Sequence, residues 1–193
     1  MLKIRPNFRI VTVIITCFAV YFMTSCGNRT STTEIVFVPA DSLIVNVDNY
    51  VNKKVETEGF IAHVCSVDRR KMKLISDNGE VIVIIPQDTT RFDYSLNRKR
   101  VKVYGLVKEE RLSEQYIAEK EEDKVLLCHV DQAPCTDKNW VNAIIEVGIA
   151  DSLAQKDINT LRQKMEQQGK GYVSIVSIVC EKCEVIETNI HVE

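Results

Sequence analysis

KKVETEGFI, residues 53–61, recurs as KRVKVYGLV, residues 99–107. Both copies read basic, basic, valine, three residues, glycine, apolar, β-branched. In the second copy Val101, Val103 and Val107 alternate with Lys102 and Lys108. A period of two with apolar residues on one side describes a half-buried strand. Gly59 and Gly105 fall mid-strand, where glycine marks a bulge, a sharp bend or close backbone approach. Between the copies, KMKLIS (71–76) alternates, Asp77-Asn78-Gly79 is a hairpin turn, and EVIVIIP (80–86) is a second strand that stops at Pro86. RFDYSLNRK (91–99) is a short irregular or one-turn helical link. The order is therefore long bent strand, hairpin pair, link, long strand. That is the arrangement of an OB-fold, a five-stranded Greek-key barrel. The fifth strand is open at this level: LVKEERLS (106–113) either continues the fourth strand or leaves the barrel to be closed elsewhere.

The residues VETEGFIAHVC, KMKLI and RVKVYGLVKEERLSEQYI resemble those of bacterial lipoproteins that carry an OB-like domain, over residues 43–123. In some of those proteins the Val-Cys ending the first strand has a proposed metal role. The second cysteine they carry nearby is replaced here by Met72.

The remainder of the chain changes character. Residues 113–124 form a polar, charge-rich helix, and Trp140 and Ile144 stand at helical spacing. Residues 151–169 are a stronger helix: Asp151 or Ser152 caps it, Ala154, Ile158, Leu161 and Met165 form a stripe, and Gly169 ends it. YVSIVSIVCEKCEVIETNIHV (172–192) reads as two strands joined at Glu181-Lys182. The expected fold class is α+β, an OB-like five-stranded barrel over residues 41–124 followed by a C-terminal helix-helix-hairpin extension over residues 125–193.

At the start of the chain Lys3, Arg5 and Arg9 precede the apolar run of residues 10–23. Spanning a bilayer takes about 20 apolar residues, so this run is short for a membrane helix. A basic region, a short apolar run and small residues describe a secretory signal peptide, here residues 1–25. Met23-Thr24-Ser25-Cys26 resembles the lipobox of bacterial lipoproteins, with Met23 and Ser25 departing from its commonest form. The resemblance implies cleavage before Cys26, lipidation of its sulfur and amino group, and residues 26–40 as a tether. Acyl chains contribute roughly 0.8 kcal/mol per buried CH₂, so several of them anchor a protein durably. The expected location is a membrane-anchored lipoprotein facing the periplasm, on either membrane.

Loss of residues 1–25 would leave 22 basic against 27 acidic residues, where the whole chain has 25 and 27. A weakly acidic protein has no general electrostatic attraction for nucleic acid. Stacking platforms for single strands need aromatics, and only 7% of the chain is aromatic. The basic runs at 68–71 and 97–100 are therefore solvated turns, and nucleic acid is not the expected partner. Glu121, Glu122 and Asp123 are a solvated helix face.

Cys65, Cys128, Cys135, Cys180 and Cys183 remain once Cys17 is removed and Cys26 is lipidated. An oxidising compartment permits disulfides, and the odd count leaves at least one sulfur otherwise engaged. Cys128, Cys135, Cys180 and Cys183 are the disulfide candidates. Cys180 and Cys183 bracket a turn, within reach of one another, as a disulfide, plain thiols, a redox pair or half a metal site. His63 and Cys65, two apart on a strand, share a face, with Met72 expected across from them. Nitrogen and sulfur donors suit zinc or copper. His63, Cys65, Met72, Cys180 and Cys183 are thus the metal candidates, with Cys128, His129 and Cys135 as a separate loop cluster.

The chain contains no GxSxG, HExxH, P-loop or GxGxxG pattern. The favoured expectation is a lipid-anchored, non-catalytic binding or scaffolding module whose partner is a protein or an envelope ligand, with no cofactor. The alternative is a metal-binding or redox-sensing lipoprotein.

Overall fold

Strand β2 (Lys54–Val64) alternates buried and half-buried residues over most of its length, as its sequence period requires. A computed structural model of the chain describes residues 35–67 and 69–186. The expected leader, Cys26 and most of the tether lie outside the described residues. β3 (Met72–Ile75) and β4 (Val81–Pro86) form the expected hairpin, turning at Gly79 with φ +87°. β5 (Arg100–Ser113) is longer than its repeat unit, because LVKEERLS continues it. β2 pairs antiparallel with β5 from Lys54 to Phe60, then with β3 from Phe60 to Val64. The strand thus serves two neighbours on opposite sides, and Gly59 sits at the change-over. A Cβ there would lie 2.3 Å from Leu74 Cδ2 and 2.8 Å from the Ile75 carbonyl oxygen.

The fifth strand corrects the sequence reading. Residues 172–185 do not turn back as a hairpin. They form one strand, β6 (Tyr172–Val185), antiparallel to β5 along its length and parallel to β4 from Val83 to Pro86. A two-residue hairpin turn needs positive φ, and neither Glu181 nor Lys182 has it. Instead, the register shifts opposite Tyr104 and Gly105, and Glu181 is the extra residue of a bulge. The order β2-β3-β4-β6-β5, with β5 returning to β2, closes a five-stranded barrel. This α+β arrangement is consistent with an OB-like barrel. The short strand β1 (Val36–Phe37) lies parallel on the outside of β2.

The barrel interior is filled by Val55, Ile61, Leu74, Ile82, Val103 and Ile178, among others, and closed at one end by Leu43 of helix α1 (Ala40–Val45) and by Val47. Thr57 is also fully buried, and its hydroxyl oxygen has no hydrogen-bond partner in the structure.

Everything between β5 and β6 is a helical insertion. Helix α2 (Glu114–Glu122) is capped by Ser113, whose hydroxyl accepts from Tyr116 N. Helix α3 (Lys138–Glu146) is capped by Asp137, whose carboxylate accepts from Trp140 N at 3.0 Å. Helix α4 (Ala150–Gln168) stops at Gly169 with φ +62°. Its start differs from expectation: Ile149 is the cap residue, and Ser152 Oγ donates to the Ile149 carbonyl. The α4 stripe is as expected, with Ala154, Ile158 and Leu161 buried and Met165 beside them. Ile117, Leu127, Ile158 and Leu161 join Leu112 and Val173 of the β5–β6 ribbon in a second core outside the barrel. Arg162 clamps α4 to α2 through two bonds to Glu121, at 2.9 and 2.7 Å, which hold that carboxylate down at about 2. No helix among the described residues is long and apolar enough to cross a membrane.

Candidate functional site

His63 and Cys65 lie at the end of β2, where the strand leaves the barrel, and both are half-buried on its outer side. Opposite them stands the loop between α2 and α3. That loop is a tight hairpin: Leu127 bridges Pro134, Cys128 N donates to the Ala133 carbonyl at 2.7 Å, and Gln132 takes positive φ. The hairpin carries His129 at its tip. A salt bridge from Lys71 to Asp131 ties it to the chain just before β3.

The two imidazoles meet edge to face, with ring centroids 4.5 Å apart and planes at 64°. Around them opens a cleft of about 230 Å³. Cys65 and Val67 line one wall, and Leu127, Cys135 and Trp140 line the other. Trp140, the single tryptophan, is 37% exposed at the first turn of α3. Ser66 and Asp137 also reach the cleft, linked by a long hydroxyl-to-carboxylate contact of 3.4 Å. Tyr94 Oη donates to the Ser66 carbonyl at 2.7 Å and steadies the segment after β2.

Burial holds His63 below the ordinary imidazole pKa, with the Lys73 ammonium adding to the effect. Burial does the same to His129, helped by His63 and Lys73 and opposed by Asp131. Both rings are therefore biased toward the neutral form, which keeps one nitrogen of each free to accept a hydrogen bond or a metal.

The tertiary fold thus gathers His63, Cys65, His129 and Cys135 in one cleft, although the sequence separated them into two clusters. It does not bring the other candidates there. Met72 pairs with Val64, not across from His63, and is fully buried inside the barrel. The reason is the shift in β2–β3 register between Ile61 and His63, which sets His63 beside Lys73. Cys180 and Cys183 also face the barrel interior. Residues three apart on a regular strand point to opposite faces, and the bulge at Glu181 restores both to one face. Burial pushes the Cys180 thiol up to about 12 and the Cys183 thiol up to about 11. Groups so far from ionisation at neutral pH are packing residues, not nucleophiles. Cys128 packs against the second core, and burial raises its pKa too. All five cysteines of the described residues are free thiols. No group of three or more His, Cys, Asp or Glu side chains among the described residues is disposed to hold a metal ion.

Trp140 as a cleft wall was not legible as such. Its only sequence cue was helical spacing with Ile144, which reads equally as core. Compared with protein families and with curated proteins, the chain matches none.

Proposed function

We propose that this protein is a lipid-anchored, envelope-facing module of the OB-fold type that binds a ligand without transforming it, in the cleft between His63 and Trp140. The observation that carries the reading is the cleft itself. It is a concave, mostly apolar surface with a few convergent polar groups, formed where the end of the long bent strand meets loops outside the barrel. OB-folds bind at a barrel face with flanking loops, so the place agrees with the architecture. The lipobox-like Met23-Thr24-Ser25-Cys26 supports the anchor. The partner is a protein or an envelope ligand. Nucleic acid is not proposed, since the chain carries net charge −2.

One experiment tests both halves. Cells are grown with labelled palmitate, and the protein is purified from membranes. Label on the native chain and none on Cys26→Ser supports the anchor. Saturable change of Trp140 fluorescence on adding envelope extract, lost on Trp140→Phe as the probe and weakened by Val67→Asp, supports the cleft. An unlabelled chain sinks the first half, and a silent Trp140 sinks the second.

A second reading is favoured by the contact of His63 with His129: a zinc or copper ion held between these two imidazoles. Stoichiometric metal in the purified chain, lost on His129→Ala, would establish it. Metal-free protein that still answers the fluorescence test rejects it.

A further inference from the structure

His129 has a second side. There another cleft, of about 190 Å³, opens between the barrel wall and the helical insertion. Lys73 of β3 and Val83 of β4 form one flank, and Thr160 and Lys164 of α4 the other, with Gln132 and His129 at the loop end. The lining contains two ammonium groups and an imidazole, and no carboxylate.

That imbalance is a property of the cleft lining. Lys54, Lys71, Lys102 and Lys124 are each paired with a carboxylate. The Lys73 and Lys164 ammonium groups have no such partner among the described residues. The nearby acids are committed elsewhere. Asp131 is bound to Lys71, and Glu109 accepts from Ser174 Oγ at 2.6 Å and from Arg111 Nε at 2.7 Å. Lys73 also lies near enough to both imidazoles to disfavour their protonation. Like charges gathered without compensation cost free energy, and an anion placed among them removes that cost.

The hydroxyls sharpen the chemistry. Thr160 Oγ1 donates its proton to the Lys156 carbonyl at 2.9 Å, and Ser174 donates to Glu109. Neither has a proton left for a ligand oxygen. The remaining side-chain donors are the two ammonium groups, the Gln132 side-chain amide and a ring N–H of His129. A group recognised this way is selected by charge more than by shape.

We propose that this cleft is an anion subsite, in which a carboxylate or phosphate group of the ligand lies between Lys73 and Lys164 beside His129. The proposal rests on the ligand-binding reading above and adds the ligand's chemical class. The wall residues His129 and Val130 belong to both clefts. A ligand with an acidic end and an apolar body therefore engages Lys73 and Lys164 with one part and Trp140 with the other.

The experiment uses the full chain in detergent micelles with ¹³C-labelled histidine. Inorganic phosphate and acetate are titrated separately, each against chloride at equal ionic strength. The groups acting on the His129 ring are Lys73 and His63, which lower its pKa, and Asp131, which raises it. An anion joining Asp131 must raise it further. The expected result is a saturable shift of the His129 resonance and an upward move of its pKa. Phosphate or acetate, whichever acts, names the source of the charge. Lys73→Met and Lys164→Met keep the apolar stems, and each should weaken binding about tenfold, the worth of one charge-assisted contact. The double variant should not respond. A response no larger than chloride's, or one that survives in the double variant, overturns the proposal. Trp140 quenching by neutral 1-naphthol separates the two readings. Quenching without an anion response leaves the first cleft standing and removes the subsite, whereas silence from both probes removes both.

Discussion

A proton on half-buried His63, or on His129 at the exposed loop tip, already faces the Lys73 ammonium. Both folded pKa values lie below the ordinary 6.5, so the unfolded chain binds protons more readily in that window. Stability is fully present above about pH 6.5 and falls as pH drops through the folded values. Urea midpoints measured from pH 7.5 to pH 5 should decline, and His129→Gln should flatten the decline. An equal slope in the variant would remove this imidazole as the cause. Thr57 makes the opposite kind of statement. Its hydroxyl is buried in the barrel with no partner, and such a group costs about 1–3 kcal/mol. Thr57→Val keeps the shape and removes the orphan, so chemical denaturation should show a gain of about 1 kcal/mol. A loss instead would mean that the hydroxyl has a use the packing does not reveal.

At the scale of elements, the repeated valine-glycine units behave as their pattern requires, and the glycines explain how five strands close. Gly105 lies where β5 passes its register shift against β6, and a Cβ there would stand 2.2 Å from the Val179 carbonyl oxygen. A carbonyl in a paired strand cannot step aside. Gly105→Ala should cost about 1–3 kcal/mol or more, read as a lower denaturation midpoint. Gly59→Ala meets the buried Leu74 side chain and the Ile75 carbonyl oxygen at 2.8 Å, so it should cost a similar amount. Tyr172–Val185 runs on as one strand against its local pattern, because Glu181-Lys182 between two cysteines looks like a turn when only its neighbours in sequence are considered. The extra residue is absorbed as a bulge because both ends of the segment are held in register by β5. No local rule reports that.

For the whole molecule, β6 is the decisive contact. It joins β4 to β5, fills the interior with Val176, Ile178 and Cys180, and gives Val173 and Ile175 to the second core. A chain ending at residue 124 retains four barrel strands and has two open edges. It should lack cooperative unfolding and dispersed amide resonances, whereas a folded product of that length would refute the dependence on β6. The described residues share one compact unit, which agrees with this coupling.

Strand periods, the Asp77-Gly79 turn, the bent first strand and the α4 stripe were legible because each is a local pattern that repeats over a few residues. So was the nearness of His63 and Cys65, which line one cleft. The meeting of His63 with His129, the loss of Met72 to the barrel interior and the cationic cleft at Lys73 and Lys164 were not. Each depends on register and on the docking of the insertion, and those are set by contacts between residues far apart along the chain. The amino-acid order determined which segments become strands and helices. Only closure of the barrel by β6 decided which side chains face one another, since a shift of one residue in register moves a side chain from core to cleft.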